Sequence, residues 1–464
     1  MGLVLKLYTR FDPTEFALRF ANGTSVNAYD IINLEPLSPS PIYGENIEGA
    51  NRYKSLIIMY QQDVEPLAQK LAEDMKNGLQ ENRKIFPGFN QVLKTDIEID
   101  MVSFNRYKAE DIYDVYTHHG SPEKVFPLII LPKVNRSIYD SIYYKAKAIF
   151  LANDIPSQVI TEDLIRDSNR YRWSLLSISI QIFAKMGGVP YALDRSMIRV
   201  GDPSDTSIAI MGLGISIHPI HKKRGVGFVT VFDHNGVWNF MDANVMSMNR
   251  QEDMSEKIAS LLERSINKIL SKSSKRNNIL VIHYSGKEVG RREEEAIKNA
   301  MESADSINKF ASIYVLKIRD SDIVIGYQDG PHKTKNGTFT WYPPIGTVFQ
   351  LKPDVYAMIT TGYFDLGLNK VKANIHRGLP TVKIIARHRE IEPLNDDLSV
   401  SNIDLLATVF GMSRLNYVAI SNPVSKEPVT IRYSKEIAWI TLRLSENGID
   451  LNRLSRIRYV MWFL

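Results

Sequence analysis

Cysteine is absent from the 464 residues. Disulfides, thiolate metal sites and cysteine nucleophiles are therefore excluded, and nothing points to an oxidising compartment. An excess of one charge is nearly lacking as well. Lys and Arg number 57 against 52 Asp and Glu, a formal +5, which permits a polyanionic partner without arguing for one. Long hydrophobic runs are missing. Apolar stretches such as Pro127 to Pro132 (PLIILP) are far shorter than the roughly 20 residues that cross a bilayer. The opening MGLVLKLYTRFDPTEF carries charge too early for a signal-peptide core. Together these absences predict a soluble, cytoplasmic chain with no membrane insertion. No internal repeat or low-complexity tract occurs.

What is present is an ordinary globular composition, 44% hydrophobic and 23% charged, in a chain long enough for two or three domains. Residues 1–54 form an N-terminal segment that is hard to read and ends in a Pro/Ser/Asn/Gly-rich stretch from Leu37 to Arg52. From Ser55 a β/α alternation begins. Strands are expected at Ser55 to Tyr60, Ile97 to Phe104, Phe126 to Pro132 and Ser157 to Glu162. Helices are expected at Leu67 to Gly78, Glu110 to Tyr116, Ser137 to Asn153 and Asp167 to Gly187. Short apolar runs alternating with amphipathic helices predict a mainly parallel sheet covered on both faces, a Rossmann-like α/β domain over residues 55–190.

The texture changes after Tyr191. Ser207 to Ile217, Gly225 to Asp233 and Val237 to Met246 read as consecutive strands, the last two joined by DHNG, a strong hairpin signal. A helix at Met254 to Ser271, a strand at Asn278 to Tyr284 and a helix at Glu293 to Ser303 follow. That order matches an RNase H-like core, so residues 191–464 form the second α/β domain. Further strands lead to helical stretches near Asn402 to Phe410 and Lys435 to Ser445. The apolar tail Tyr459 to Leu464 (YVMWFL) is expected to be buried. The basic clusters His221 to Arg224 and Lys272 to Arg276 read more readily as solvated loops than as binding sites.

The residues that carry chemistry lie in the first domain. Tyr143 and Lys147 are four apart on one helix, Gln181 and Lys185 four apart on the next, and Gln158 opens the intervening strand. Residues at i and i+4 share a helical face, so each pair can point at one place. Two ammonium groups neutralise a terminal phosphate, an amide hydrogen-bonds it, and a tyrosine ring stacks on the adjoining base. Singly, each has a plainer explanation: a Lys on a solvated face, a Tyr in the core, a Gln satisfied locally.

The pattern Tyr-x-x-x-Lys, then Gln in Ile155-Pro156-Ser157-Gln158-Val159-Ile160, then Gln-x-x-x-Lys resembles the guide 5′-end motif of the MID domain of Argonaute proteins. In its archaeal Piwi-like members a Gln one turn before the second Lys and the C-terminal carboxylate hold a divalent cation against the guide phosphate. Gln181 matches that Gln, and Leu464 carries a carboxylate at the end of the apolar tail. The resemblance thus implies a guide 5′-phosphate site of Tyr143, Lys147, Gln158, Gln181 and Lys185, with Mg held by Gln181 and Leu464, oxygen donors that suit a hard cation. It runs from about Ser55 to the end, as a MID domain (55–190) followed by an RNase H-like PIWI domain. It resembles the short type, with no room for the N-terminal and PAZ domains of long members.

The resemblance also implies no target cleavage. An active PIWI domain holds two magnesium ions on carboxylates and His. At the matching positions this chain has Gly214, Ser285 and Lys435. Glu252 sits where a mobile glutamate would be, and one carboxylate cannot hold two ions. A shifted alignment would bring in Asp233 or Asp242, of which Asp233 reads as part of the DHNG turn. The expected partners are a small guide RNA and complementary target DNA, with RNA or DNA left open for each strand. Short inactive members further imply a role in prokaryotic antiviral defence, with a separately encoded Argonaute-associated protein and an effector. Competing readings are a metal-dependent RNase H-like nuclease, which lacks its carboxylates at Gly214 and Ser285, a nucleotide- or sugar-phosphate-binding α/β enzyme, and a scaffold. The α/β-enzyme reading would need a glycine-rich loop after the first strand, where Gln61 to Pro66 has none.

Overall fold

The computed structural model describes residues 5–38, 52–80, 84–120, 123–132, 141–202, 204–217, 224–247, 251–285, 297–300, 310–327, 330–333, 339–362, 381–391, 398–418, 420, 424–446 and 457–464. The chain begins with β1 (Lys6–Arg10), β2 (Leu18–Phe20) and β3 (Gly23–Ser25). It then enters a β/α layer of β4 (Ser55–Gln61), α1 (Glu65–Asn77), α2 (Phe89–Leu93), β5 (Glu98–Phe104), α3 (Ala109–His118), β6 (Val125–Leu131), α4 (Ile142–Ala152), β7 (Gln158–Thr161), α5 (Glu162–Arg166) and α6 (Ser168–Lys185). Strands β4 to β7 make one four-stranded sheet in the order β5-β4-β6-β7, parallel throughout. Every residue of β6 is buried, as expected of a central parallel strand covered on both faces. Asp167 caps α6 by accepting from the Arg170 amide.

The second part of the chain contains β8 (Ala192–Leu193), β9 (Thr206–Ile217), β10 (Arg224–Asp233), β11 (Trp238–Ser247), α7 (Gln251–Lys272), β12 (Asn277–Tyr284) and β13 (Ser312–Ser321). A short hairpin of β14 (His332–Lys333) and β15 (Phe339–Thr340) is followed by β16 (Thr347–Lys352), β17 (Val355–Ile359), β18 (Val382–Ile391), α8 (Asn402–Met412) and α9 (Val429–Glu446). One nine-stranded sheet runs β1-β16-β17-β18-β13-β12-β9-β10-β11. Its β9, β12 and β13 are parallel and its remaining pairs antiparallel. The three-strand meander, helix and parallel fourth strand give the RNase H-like order, with α7 on β10 and β11 and α9 across β9 and β10. Asp233 Oδ1 accepts from the amides of Asn235 and Val237, and Gly236 takes φ +76°. Asp233 therefore closes the DHNG turn.

The N-terminal segment is built into the rest of the fold. Strand β1 forms the edge of the large sheet against β16, and β2 pairs with β8. Arg414, at the end of α8, is buried and donates to the carbonyls of Phe16 and Val26. The C-terminal tail is buried from Val460 to Phe463. Trp462 donates to Met241 Sδ, and Phe463 packs on Trp238 and Tyr433. Full burial of a large apolar side chain contributes about 1.5–3 kcal/mol, so the tail is firmly seated. No described helix is long and apolar enough to cross a membrane.

Residues 39–51 of the Leu37 to Arg52 stretch, residues 133–140 of the expected fourth helix and His221 to Lys223 of the first basic cluster lie outside the described residues. So does most of the Glu293 to Ser303 helix, of which residues 297–300 are helical.

Candidate nucleic-acid interface

Helix α4 enters its first turn at Tyr143 and carries Lys147 one turn further on, whereas α6 carries Lys185 in its last turn and Gln181 one turn before it. A cation in the last turn of a helix faces the negative end of the helix dipole, which favours Lys185 there. Between the helices, the loop Ile155 to Ser157 leads into β7, whose first residue is Gln158. Tyr143, Lys147, Gln158, Gln181, Lys185 and Leu464 all line one cavity of about 220 Å³. The structure therefore brings together every residue singled out for the phosphate and cation.

Both lysines are buried, Lys147 at 4% and Lys185 at 1% exposure. Lys147 Nζ donates to the Ser157 carbonyl. Lys185 Nζ donates to the same oxygen at 3.4 Å and to Gln158 Oε1. The Gln158 amide nitrogen donates to the Val159 carbonyl at 3.1 Å, which fixes its oxygen toward Lys185. Two ammonium groups are thus focused on one carbonyl in a buried recess, where charges act over a lower dielectric than in bulk water. Among the described residues, the buried hydroxyls of Ser141, at the start of α4, and Ser157 have no hydrogen-bond partner. A buried polar atom of this kind calls for a ligand or solvent.

The far wall comes from the second part of the chain. Tyr433, Glu436, Trp439 and Ile440 of α9 line the cavity beside Phe463. Their spacing of three to four puts them on one helical face. Tyr433 is buried; that burial holds its hydroxyl well above the usual phenol range, and it accepts from the Tyr417 amide. This wall is absent from the site as read in the sequence. A Glu and a Trp on an amphipathic helix look like surface and core, and only the packing of α9 against α4 carries them to the site.

The positions matched to catalytic carboxylates also assemble. Strand β12 pairs with β9 up to Tyr284↔Leu213, so Ser285, just past the end of β12, follows beside Gly214, which lies within β9. A Cβ placed on Gly214 would lie 2.7 Å from Ser434 Oγ and 2.9 Å from Ser434 Cβ, so α9 occupies the space of a side chain there. Lys435 Nζ is 2.8 Å from Glu427. Glu252 falls within α7, its side chain outside the described residues. Asp242 pairs with Arg264 at 3.3 Å and Arg458 at 3.8 Å. Among the described residues no three His, Asp or Glu side chains cluster as a metal site.

A family model described as the Piwi domain matches residues 127–339. Among solved structures, the Drosophila Piwi crystal structure superposes with a TM-score of 0.65 at 13% identity, over 99% of this chain and 56% of that one. The fold is Argonaute-like. The structure of Aa-Ago with externally bound siRNA matches with a TM-score of 0.56 at 18% identity, again over 99% of this chain and 56% of that one. This Argonaute-like chain therefore spans a little over half the length of either neighbour. A search of curated proteins gives no match.

Proposed function

We propose that the chain is a guide-binding Argonaute of the short MID–PIWI type, with residues 55–190 as the MID domain and 191–464 as the PIWI domain. It anchors the 5′-phosphate of a small guide strand, RNA by preference, and recognises complementary nucleic acid, DNA by preference, without cutting it. The observation that carries this reading is the convergence of Tyr143, Lys147, Gln158, Gln181, Lys185 and Leu464 on one cavity.

The chemistry follows from the donor set. Lys147 and Lys185 offset the phosphate charge, and charge-assisted hydrogen bonds of this kind are stronger than neutral ones. A phosphate oxygen competes for the ammonium protons now given to Ser157 and Gln158. Tyr143, buried in the cavity wall, offers its ring to the first base. The Gln181 amide and the Leu464 carboxylate supply oxygen donors that fit a divalent cation such as Mg, which when bound adds positive charge against the phosphate. Base pairing supplies specificity along the strand, and the protein reads backbone shape, as in other guided systems.

Absence of cleavage rests on Gly214, Ser285 and Lys435, none of which offers a carboxylate for a two-metal site. A role as a sensor in prokaryotic defence, in the cytoplasm, with a separately encoded associated protein and an effector, completes the proposal. It is supported by the resemblance of the motif and by the Argonaute-like fold. The test is binding of a short RNA with a 5′-phosphate against the same RNA with a 5′-hydroxyl.

A further inference from the structure

The sheet end that carries Gly214 and Ser285 also holds a lattice of five charges. Lys383, on β18, is 3% exposed and pairs with Asp320 of β13 and, at 3.1 Å, with Glu427 just before α9. Glu427 also pairs with Lys435 at 2.8 Å, and Asp320 with Lys426 at 4.0 Å. The order is Lys426–Asp320–Lys383–Glu427–Lys435, alternating in sign, with a net charge of +1. Burial raises the pKa of Glu427, but Lys383 and Lys435 outweigh that and keep its carboxyl below the usual range. It is therefore ionised and holds both lysines.

The lattice lies close to the matched catalytic positions. Tyr284 pairs with Lys317 across β12 and β13, so Asp320 is only a few residues beyond the row of Ser285. Lys435 follows Ser434, the residue that fills the space at Gly214. A two-metal centre does not fit here, because the donors are a glycine, a serine and a lysine, and the cations present are ammonium groups held by Asp320 and Glu427.

The inner lysine is sealed in and serves both carboxylates. The two outer lysines are half exposed, Lys435 at 42% and Lys426 at 51%. Each outer ammonium shares its carboxylate with Lys383, so neither is fully neutralised. An anion set against them would continue the alternation without requiring any internal pair to break.

We propose that Lys426 and Lys435 bind phosphodiester groups of a nucleic-acid backbone, so that the lattice takes the place of metal ions as a grip that does not cut. This rests on the reading that the chain binds nucleic acid. The same chemistry is offered by the guide strand and by the strand paired to it, and the test separates the two.

The test uses the full chain as wild type, as Lys426→Ala/Lys435→Ala and as Lys426→Arg/Lys435→Arg. A labelled 5′-phosphorylated RNA is titrated alone, and the RNA-loaded protein is titrated with complementary DNA, each across a range of salt concentrations. The alanine pair is expected to weaken binding about ten-fold and to flatten the slope of log affinity against log salt by about 0.7–0.9 for each phosphate that is no longer neutralised. The arginine pair, which keeps the charge, is expected to restore both. A weakening in the first titration assigns the phosphates to the guide; a weakening only in the second assigns them to the paired strand. Unchanged affinity and slope in both titrations, or no rescue by arginine with the fold intact by thermal melting, overturns the proposal. Failure of the guide reading is read separately, as absence of any preference of wild type for a 5′-phosphate, because the salt slope is measured on the strand whatever its end group.

Discussion

Lys147 and Lys185, on different helices, donate to the same atom, the carbonyl oxygen of Ser157. Gln158 stands next to that carbonyl and accepts from Lys185. This arrangement holds Lys185 at the cavity wall. Gln158→Ala is expected to weaken binding of a 5′-phosphorylated RNA by about three- to ten-fold, the size of an ordinary net hydrogen bond. Binding of the 5′-hydroxyl RNA should hardly change. Anisotropy titrations of the two RNAs check this; an equal loss for both would place Gln158 outside phosphate recognition.

Gln181 and Leu464 line the same cavity and are the residues proposed to hold the cation. If they hold the cation, adding EDTA should weaken binding of the phosphorylated RNA in the wild type. A short extension after Leu464 removes the carboxylate from the site and should abolish that metal dependence. A chain with the extension that still responds to EDTA as the wild type does would remove Leu464 from the cation site.

Gly214 has no room for a side chain. Gly214→Asp is expected to destabilise the fold by about 1–3 kcal/mol, the usual cost of overpacking, and to leave target cleavage undetectable. Adding Ser434→Gly should recover part of the stability, because Ser434 supplies the nearest clashing atoms. Denaturant unfolding measures the first effect and a labelled target the second. Cleavage by the single variant would show that a metal centre can still assemble.

His283 sits in β12 with no solvent contact, its Nδ1 2.9 Å from Thr430 Oγ1 and its Nε2 2.8 Å from Thr408 Oγ1. Thr408 gives its own proton to the Leu405 carbonyl, so it accepts from Nε2, and Nδ1 accepts from Thr430. The ring is neutral, and burial pushes its pKa down to about 3. The unfolded chain takes up a proton near pH 6.5 that the folded chain refuses. This group's contribution to stability is therefore complete above about pH 6.5 and is lost as the pH falls toward 3, at up to about 1.4 kcal/mol per pH unit. His283→Gln should flatten the fall in melting temperature over that window; an unchanged profile would mean that other groups dominate it.

Much of this molecule is legible in its sequence, for identifiable reasons. Ser55 to Gln61 and Val125 to Leu131 are apolar nearly throughout because a parallel strand is buried on both faces. The DHNG turn declares itself through residues that tolerate its backbone. Tyr143 and Lys147, and Gln181 and Lys185, stand at helical spacing, and α4, α6 and β7 bring them with Gln158 to one cavity. Strand β1 is not legible: its exposure pattern reflects an edge position against β16, more than 300 residues away in sequence. Helix α9 begins at Val429, earlier than the expected Lys435. Val429, Thr430 and Ile431 are β-branched and poor helix formers, and the close approach of Thr430 to Gly212 holds them helical. Glu436 and Trp439 reach the cavity only through that helix. The charge lattice is dispersed over residues 320, 383, 426, 427 and 435, and no local pattern announces it.

The guide-end pocket stands or falls on the ratio of affinities for one short RNA bearing a 5′-phosphate or a 5′-hydroxyl, in magnesium. Wild type is expected to favour the phosphate by about ten-fold or more, roughly 1.4 kcal/mol, and Lys147→Ala/Lys185→Ala to lose that preference while remaining folded. Equal affinity of wild type for the two RNAs would contradict the guide-end pocket.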